Sequence, residues 1–167
     1  MDKMHKVRAA IMKILGIVIT LLFILMTLVG TYQIVTRYFF NRPSTISEEL
    51  LTYSFTWMSL LASAYVFGKR DHMRMGFMAD KLTGPDRRYL EVFIDALSFF
   101  FAAIVMVYGG ISITRLTMIQ ITASLRISMG WIYIIVPIAG LLIMIFSAMN
   151  AVDMLHKDFS EPGEAKV

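Results

Sequence analysis

Cysteine is absent from the 167 residues, which removes disulfides, thiolate metal ligands and cysteine nucleophiles from consideration. Charge is scarce: Asp, Glu, Lys and Arg make up 17% of the chain against 57% hydrophobic residues, and the mean hydropathy is +0.68. A soluble domain carries about a quarter of its residues charged. The histidines, His5, His72 and His156, all lie outside the apolar runs, so a haem held between facing histidines of a bundle is excluded. No Asp, Glu, Lys, Arg or His sits deep inside any apolar run. Ionisable groups within a membrane mark proton relays and ion paths. A small multidrug-type exporter lacks its carboxylate here, and an intramembrane protease lacks its catalytic groups. No catalytic residue, cofactor site or metal site is expected in this chain.

What the chain does have is four long uncharged stretches, Ile14–Thr36, Leu50–Gly68, Ala96–Thr114 and Ile127–Val152. About 20 apolar residues cross a bilayer core as helix, so each suffices. The expectation is an all-α integral membrane protein with four transmembrane helices, at about 14–36, 50–68, 93–114 and 127–152. They form a single four-helix membrane domain over 1–157, followed by a short disordered tail, 158–167. The first stretch follows basic residues, as a signal peptide would, but it exceeds a signal h-region and lacks a small-residue cleavage site; it reads as a retained helix.

Net charge is +4 and the basic residues sort by position. Lys3, Lys6, Arg8 and Lys13 precede the first span. Lys69, Arg70, Arg74, Lys81, Arg87 and Arg88 separate the second from the third, and Lys157 and Lys166 follow the fourth; the opposite side holds Arg37, Arg42, Arg115 and Arg126. The positive-inside rule places both termini in the cytoplasm of a multi-pass protein and argues for lipid, not nucleic acid, as its surroundings.

Two connections carry most of the remaining polar chemistry. In "RYFFNRPSTISEELLTYSFTW", Asn41 and Pro43 supply a turn, and Thr45-Ile46-Ser47-Glu48 matches a capping box, with Ser47 fitting the cap equally well. Glu48 suits a helix N-terminus. Glu49 opposite Arg37 across a short turn makes an ionic clasp between the first two helices, with Arg42 and Arg126 left more accessible. Contacts with another subunit or a docking protein are the alternative use of these charges. In "KRDHMRMGFMADKLTGPDRR", Met73, Phe77, Met78 and Leu82 fall at helical spacing, predicting a short amphipathic interfacial helix between the second and third spans, ended by Gly84-Pro85. The third helix runs from about Asp86 past Thr114, longer than the hydrocarbon is thick. In the fourth, Pro137 removes a bond to the Tyr133 carbonyl and kinks the helix. Asp95 is either a solvated interfacial carboxylate or a partner of the Lys69-Arg70-His72 cluster.

Small and weakly polar residues recur at helix spacing: Gly16, Thr20, Thr27 and Gly30 on the first span, Thr52, Thr56, Ser59 and Ser63 on the second. Small faces let helices approach closely where lipid supplies no hydrophobic drive. They serve packing among the four helices or docking of another subunit. The 14 methionines are adaptable packing.

The segment "TRYFFNRPSTISEELLTYSFTWMSLLASAYVFGKRDHMRMGFMADKL" resembles the small membrane subunit of tripartite ATP-independent periplasmic (TRAP) transporters. The matching features are Arg37, Phe39, Glu48, Glu49, Trp57, Ala62, Ala64, Gly68 and His72, joined by Trp131, Tyr133 and Pro137 in "SLRISMGWIYIIVPIAGLLIMI". The Ser59/Ser63 stripe replaces expected glycine, and Met73 stands where a β-branched residue is usual. The resemblance implies a bacterial inner-membrane scaffold subunit paired with a large multi-span subunit. That partner would hold the substrate and sodium sites and move as an elevator, fed by a periplasmic substrate-binding protein with carboxylates such as dicarboxylates or sialic acid. Two other readings fit the residues less well: a self-contained small homo-oligomeric transporter, and a four-span structural or regulatory protein.

Overall fold

The computed structural model describes residues 2–69 and 85–155, and the described chain is helical apart from its connections. Helix α1 covers Asp2–Tyr38 and α2 covers Thr45–Lys69. The third span is built from α3 (Pro85–Phe101), a π-helical segment (Ala102–Gly109) and α4 (Gly110–Thr117). The fourth comprises α5 (Gly130–Tyr133) and α6 (Ile135–Leu155). Four stretches are long and apolar enough to cross a membrane: Met4–Tyr38, Thr45–Lys69, Val92–Thr117 and Gly130–Asp153. The expected interfacial helix, with His72, and the expected tail lie outside the described residues.

Helix α1 begins well before the apolar run because Lys6, Arg8 and Lys13 are compatible with helix, and only the bilayer core demands apolar residues. It stops where Asn41 takes a left-handed φ of 49°, which lets the Arg42 N–H reach the Thr36 carbonyl at 3.1 Å, just before Pro43. The cap of α2 is Ser44, and not Thr45 or Ser47 as the sequence pattern indicates. Its hydroxyl accepts the Ser47 N–H at 3.3 Å and lies 2.9 Å from the Ser47 hydroxyl, while its carbonyl accepts the Glu48 N–H. A serine cap needs its N3 partner within reach, and Ser47 fills that position.

The spans pack as a layer in the order first, second, fourth, third: α1 lies on α2, α2 on α6, and α6 on α3 and the π segment. In the fourth span 44% of the apolar window is buried, against 17% in the second and 6% in each outer span. The fourth span therefore forms the spine. Its inward face, Ile135, Ala139, Ile143, Phe146, Ser147 and Asn150, recurs every three or four residues. That of α2, Ser47, Ser54, Leu61, Ala64 and Gly68, follows a nearly strict heptad, the seam of closely aligned helices. Leu15, Leu61, Ile135 and Phe146 make one core cluster; Ala64, Ala102 and Ile143 make the other.

Contact between the third and fourth spans is set by glycine. A Cβ on Gly110 would meet Pro137 Cδ at 2.8 Å, and one on Gly140 would meet Met106 Cβ at 2.7 Å. The π segment sits at this approach, and its wider turn brings fully buried Ala102 to the Ile143 cluster. The fourth span is interrupted at Ile134, one turn before Pro137, in line with the missing N–H of that proline.

Candidate functional site

The polar side chains that tie one helix to another gather toward the two ends of the helix layer. At the end opposite the termini, residues 118–130 fold into a small hairpin. The Thr122 N–H donates to the Ile127 carbonyl and the Met129 N–H to the Gln120 carbonyl, both at 2.9 Å. Arg126 turns the tip with a φ of 53°, and buried Thr122 accepts the Ile127 N–H on its hydroxyl. Ser128 donates its hydroxyl to the Met118 carbonyl at 2.7 Å.

Glu49 closes on this hairpin. Its Oε2 accepts the Ser124 N–H at 3.1 Å and the Leu125 N–H at 2.8 Å, and the Tyr53 phenol lies beside the same carboxylate. Two adjacent backbone donors meeting one carboxylate make a charge-assisted clasp. Because Ser124 and Leu125 belong to the connection between the third and fourth spans, one α2 side chain fixes how that connection sits. Two turns further along, the Trp57 indole N–H donates to the Ile132 carbonyl at 3.1 Å, within the irregular start of the fourth span.

Arg37 does not meet Glu49. Its guanidinium lies 6.0 Å above the Tyr38 ring, and no carboxylate pairs with it among the described residues. The expected Arg37–Glu49 clasp is replaced by a carboxylate–amide one, since Glu49 reaches backbone donors of the 124–125 loop. Arg42, Glu48 and Arg126 are exposed.

At the end bearing the termini, Arg8 ties three helices. Its Nε donates to the Gly68 carbonyl at 2.8 Å, Nη2 reaches the same oxygen, and Nη1 lies 3.2 Å from Asp153 Oδ2. Asn150 donates to the Phe67 carbonyl at 3.2 Å. Side chains from α1 and α6 thus meet carbonyls in the last described turn of α2, the end of the macrodipole that suits a cation. His5 approaches Asp153 at 3.9 Å. Asp95 is half-buried on α3 and engaged in interactions. Of the cluster proposed for it, Lys69 lies 5.1 Å over the Tyr65 ring, while Arg70 and His72 fall outside the described residues.

The small-residue stripes divide. Gly16 and Gly30 face α2, where a Cβ would meet Tyr65 at 3.8 Å and Leu51 at 3.5 Å. The hydroxyls of Thr20, Thr27, Thr52, Thr56 and Ser63 each donate to the carbonyl four residues back. Thr20, Thr27, Thr52, Ser59 and Ser63 are exposed and Thr56 is half-buried. The buried face of α2 runs instead through Ser54, Leu61, Ala64 and Gly68, so the hydroxyl stripe is not what packs these four helices together. Sequence reasoning also missed Arg8, Asn150 and Asp153 as a set, although an arginine about two turns into a helix and an Asn-x-x-Asp at the close of an apolar run were visible signals. Among the described residues no group of His, Asp or Glu stands in a metal-ligating arrangement.

This arrangement ties helices to one another, and comparison with known proteins supplies the family. Residues 26–157 match the family described as tripartite ATP-independent periplasmic transporters, DctQ component. The chain is 28% identical over 127 residues to the sialic acid TRAP transporter small permease protein SiaQ of Vibrio cholerae, covering 76% of this chain and 72% of that protein. It is 26% identical over 112 residues to the sialic acid TRAP transporter permease protein SiaT of Haemophilus influenzae, covering 67% of this chain but 18% of that longer protein. With the family matched across most of its length on a four-span helical fold, the chain belongs to the DctQ component of TRAP transporters: it is a small membrane subunit of a transporter, and not an enzyme.

Proposed function

We propose that this chain is the static scaffold of a sodium-driven, binding-protein-dependent transporter for organic acids. A large membrane subunit carries the substrate and sodium sites and moves as an elevator, and a periplasmic substrate-binding protein delivers the cargo. The chain lies in the bacterial inner membrane as a single multi-pass domain with both termini cytoplasmic. Carboxylates are the substrate class, in keeping with the sialic acid named for SiaQ and SiaT. That a much longer permease contains a segment similar to this chain supports a large partner.

The observation that carries the scaffold reading is where the polar ties fall. Glu49 and Trp57 fasten α2 to the start of the fourth span at one end, and Arg8 and Asn150 fasten α1, α2 and α6 at the other. Between the two ends no ionisable side chain lies in the apolar stretches to bind cargo or a coupling ion. A layer pinned at both faces resists shear, which suits a part that must stay fixed while its partner moves. The test is reconstitution into liposomes with a sodium gradient: uptake needs both membrane subunits and the binding protein. Transport by the large subunit alone at the rate of the pair rejects the scaffold role.

A further inference from the structure

A shallow, open groove of about 340 Å³ lies along α1 near the end bearing the termini, lined by Met12, Lys13, Gly16, Thr20 and Leu21 and by Tyr65 of α2. The two helices run antiparallel, with Met12 beside Gly68, Gly16 beside Tyr65 and Gly30 beside Leu51. Lys13, which lines the groove, and Lys69, which lies over the lining Tyr65 ring, therefore stand at nearly the same level. Asp153, a carboxylate at this end, is engaged by Arg8 and His5. Among the described residues neither lysine meets a carboxylate; Lys69 is held over the Tyr65 ring. Below the lysines the groove is apolar, and the Thr20 hydroxyl is spent on the Gly16 carbonyl.

We propose that this groove binds an anionic glycerophospholipid, its phosphate between Lys13 and Lys69 and one acyl chain laid along Gly16 and Thr20 toward Leu21. Two ammonium groups at the rim with an apolar channel beneath complement that ligand in charge and polarity. Basic recesses between membrane helices favour anionic headgroups, and a zwitterionic choline lipid brings a cation of its own to the same place. The inference needs only the depth of these residues in a bilayer, and does not depend on the scaffold role.

The test uses the full chain, purified with any large permease subunit it retains, and native mass spectrometry with equimolar phosphatidylglycerol and phosphatidylcholine of the same acyl chains. Phosphatidylglycerol adducts should exceed phosphatidylcholine adducts by at least about fivefold, the preference expected if even one lysine contributes. Lys13→Gln with Lys69→Gln should abolish the preference. Gly16→Leu, whose Cβ the backbone accommodates at 3.8 Å from Tyr65, should lower occupancy by both lipids. Equal binding of the two lipids, or a preference unchanged in the lysine variant, overturns the proposal. So does a protein partner in the groove, seen as absence of retained lipid with Gly16→Leu displacing the large subunit. Should the variants assemble poorly, a phosphatidylglycerol with a photoreactive acyl chain, used on the unaltered protein, must label the Met12–Leu21 or Tyr65 peptides; label elsewhere rejects the site.

Discussion

Gly110 and Pro137 meet so closely that a Cβ at residue 110 would lie 2.9 Å from the proline nitrogen as well as 2.8 Å from its Cδ. The proline ring is rigid and its nitrogen is backbone, so neither atom can swing aside. Gly110→Ala must therefore push the third and fourth spans apart or distort them, at a cost of about 1–3 kcal/mol typical of overpacking. Thermal unfolding in detergent should show a lowered Tm, and Gly109→Ala, one residue away, is the control: its Cβ would find only the Ile104 carbonyl oxygen, at 3.7 Å. Equal effects of the two substitutions reject this contact as the cause.

Glu49 serves two backbone amides, so its removal orphans both. Glu49→Ala should destabilise the 122–127 hairpin by about 1–3 kcal/mol, the penalty for losing the partner of a charge-assisted bond, and Glu49→Gln by less, because one amide oxygen still accepts. Hydrogen exchange at Ser124 and Leu125 is the local readout. Protection that persists in Glu49→Ala shows that the hairpin holds itself.

The same geometry sets the outcome of a charge swap. With Arg37 over Tyr38 and Glu49 on the 124–125 amides, Arg37→Glu combined with Glu49→Arg should lose stability as the sum of the single changes. Additivity within a few tenths of a kcal/mol is the mark of sites that do not interact. Rescue in the double variant establishes a direct pair instead.

How far the sequence revealed this arrangement depended on which signal each feature left. Spans are written in long apolar runs, and Asn41, Pro43 and Pro137 mark breaks in the helical backbone where the turn and the interruption occur. The π segment left no trace: in Ala102–Gly109 nearly every residue is apolar, so no periodicity registers a change from 3.6 residues per turn. The order of the spans was hidden for a related reason. In lipid an outward face is as apolar as an inward one, so hydrophobicity cannot separate Leu61, which is buried, from Phe55, which is exposed. Glu49 and Trp57 stood out as polar groups in an apolar setting. Their partners did not, because Ser124, Leu125 and Ile132 contribute only backbone atoms, which no residue type announces.

At the other end, Arg8 binds the Gly68 carbonyl of α2 and pairs with Asp153, the two side chains partly shielded at 17% and 13% exposure. Arg8→Lys keeps the charge but loses the fork that spans the Gly68 carbonyl and Asp153 together. It should recover less than half of the stability lost in Arg8→Ala, measured as the shift in thermal unfolding. Full recovery by lysine reduces the tie to simple charge attraction.

The exposed hydroxyl stripe of α2 distinguishes a docking face from a lipid-facing one. Thr52, Ser59 and Ser63 each lie on the exterior of the four-helix layer, and the hydroxyls of Thr52 and Ser63 are already satisfied by their own helix. Replacing Ser59 and Ser63 with leucine therefore removes nothing that holds this chain together, and the Tm of the isolated chain should change by no more than about 0.5 kcal/mol equivalent, as for ordinary surface substitutions. If the large subunit packs closely on this stripe, the added bulk breaks the approach that small residues allow, and its recovery in co-purification should fall severalfold while the chain itself still accumulates in the membrane. Unchanged recovery assigns the stripe to lipid and moves the search for the partner's footprint to the outer face of the third span.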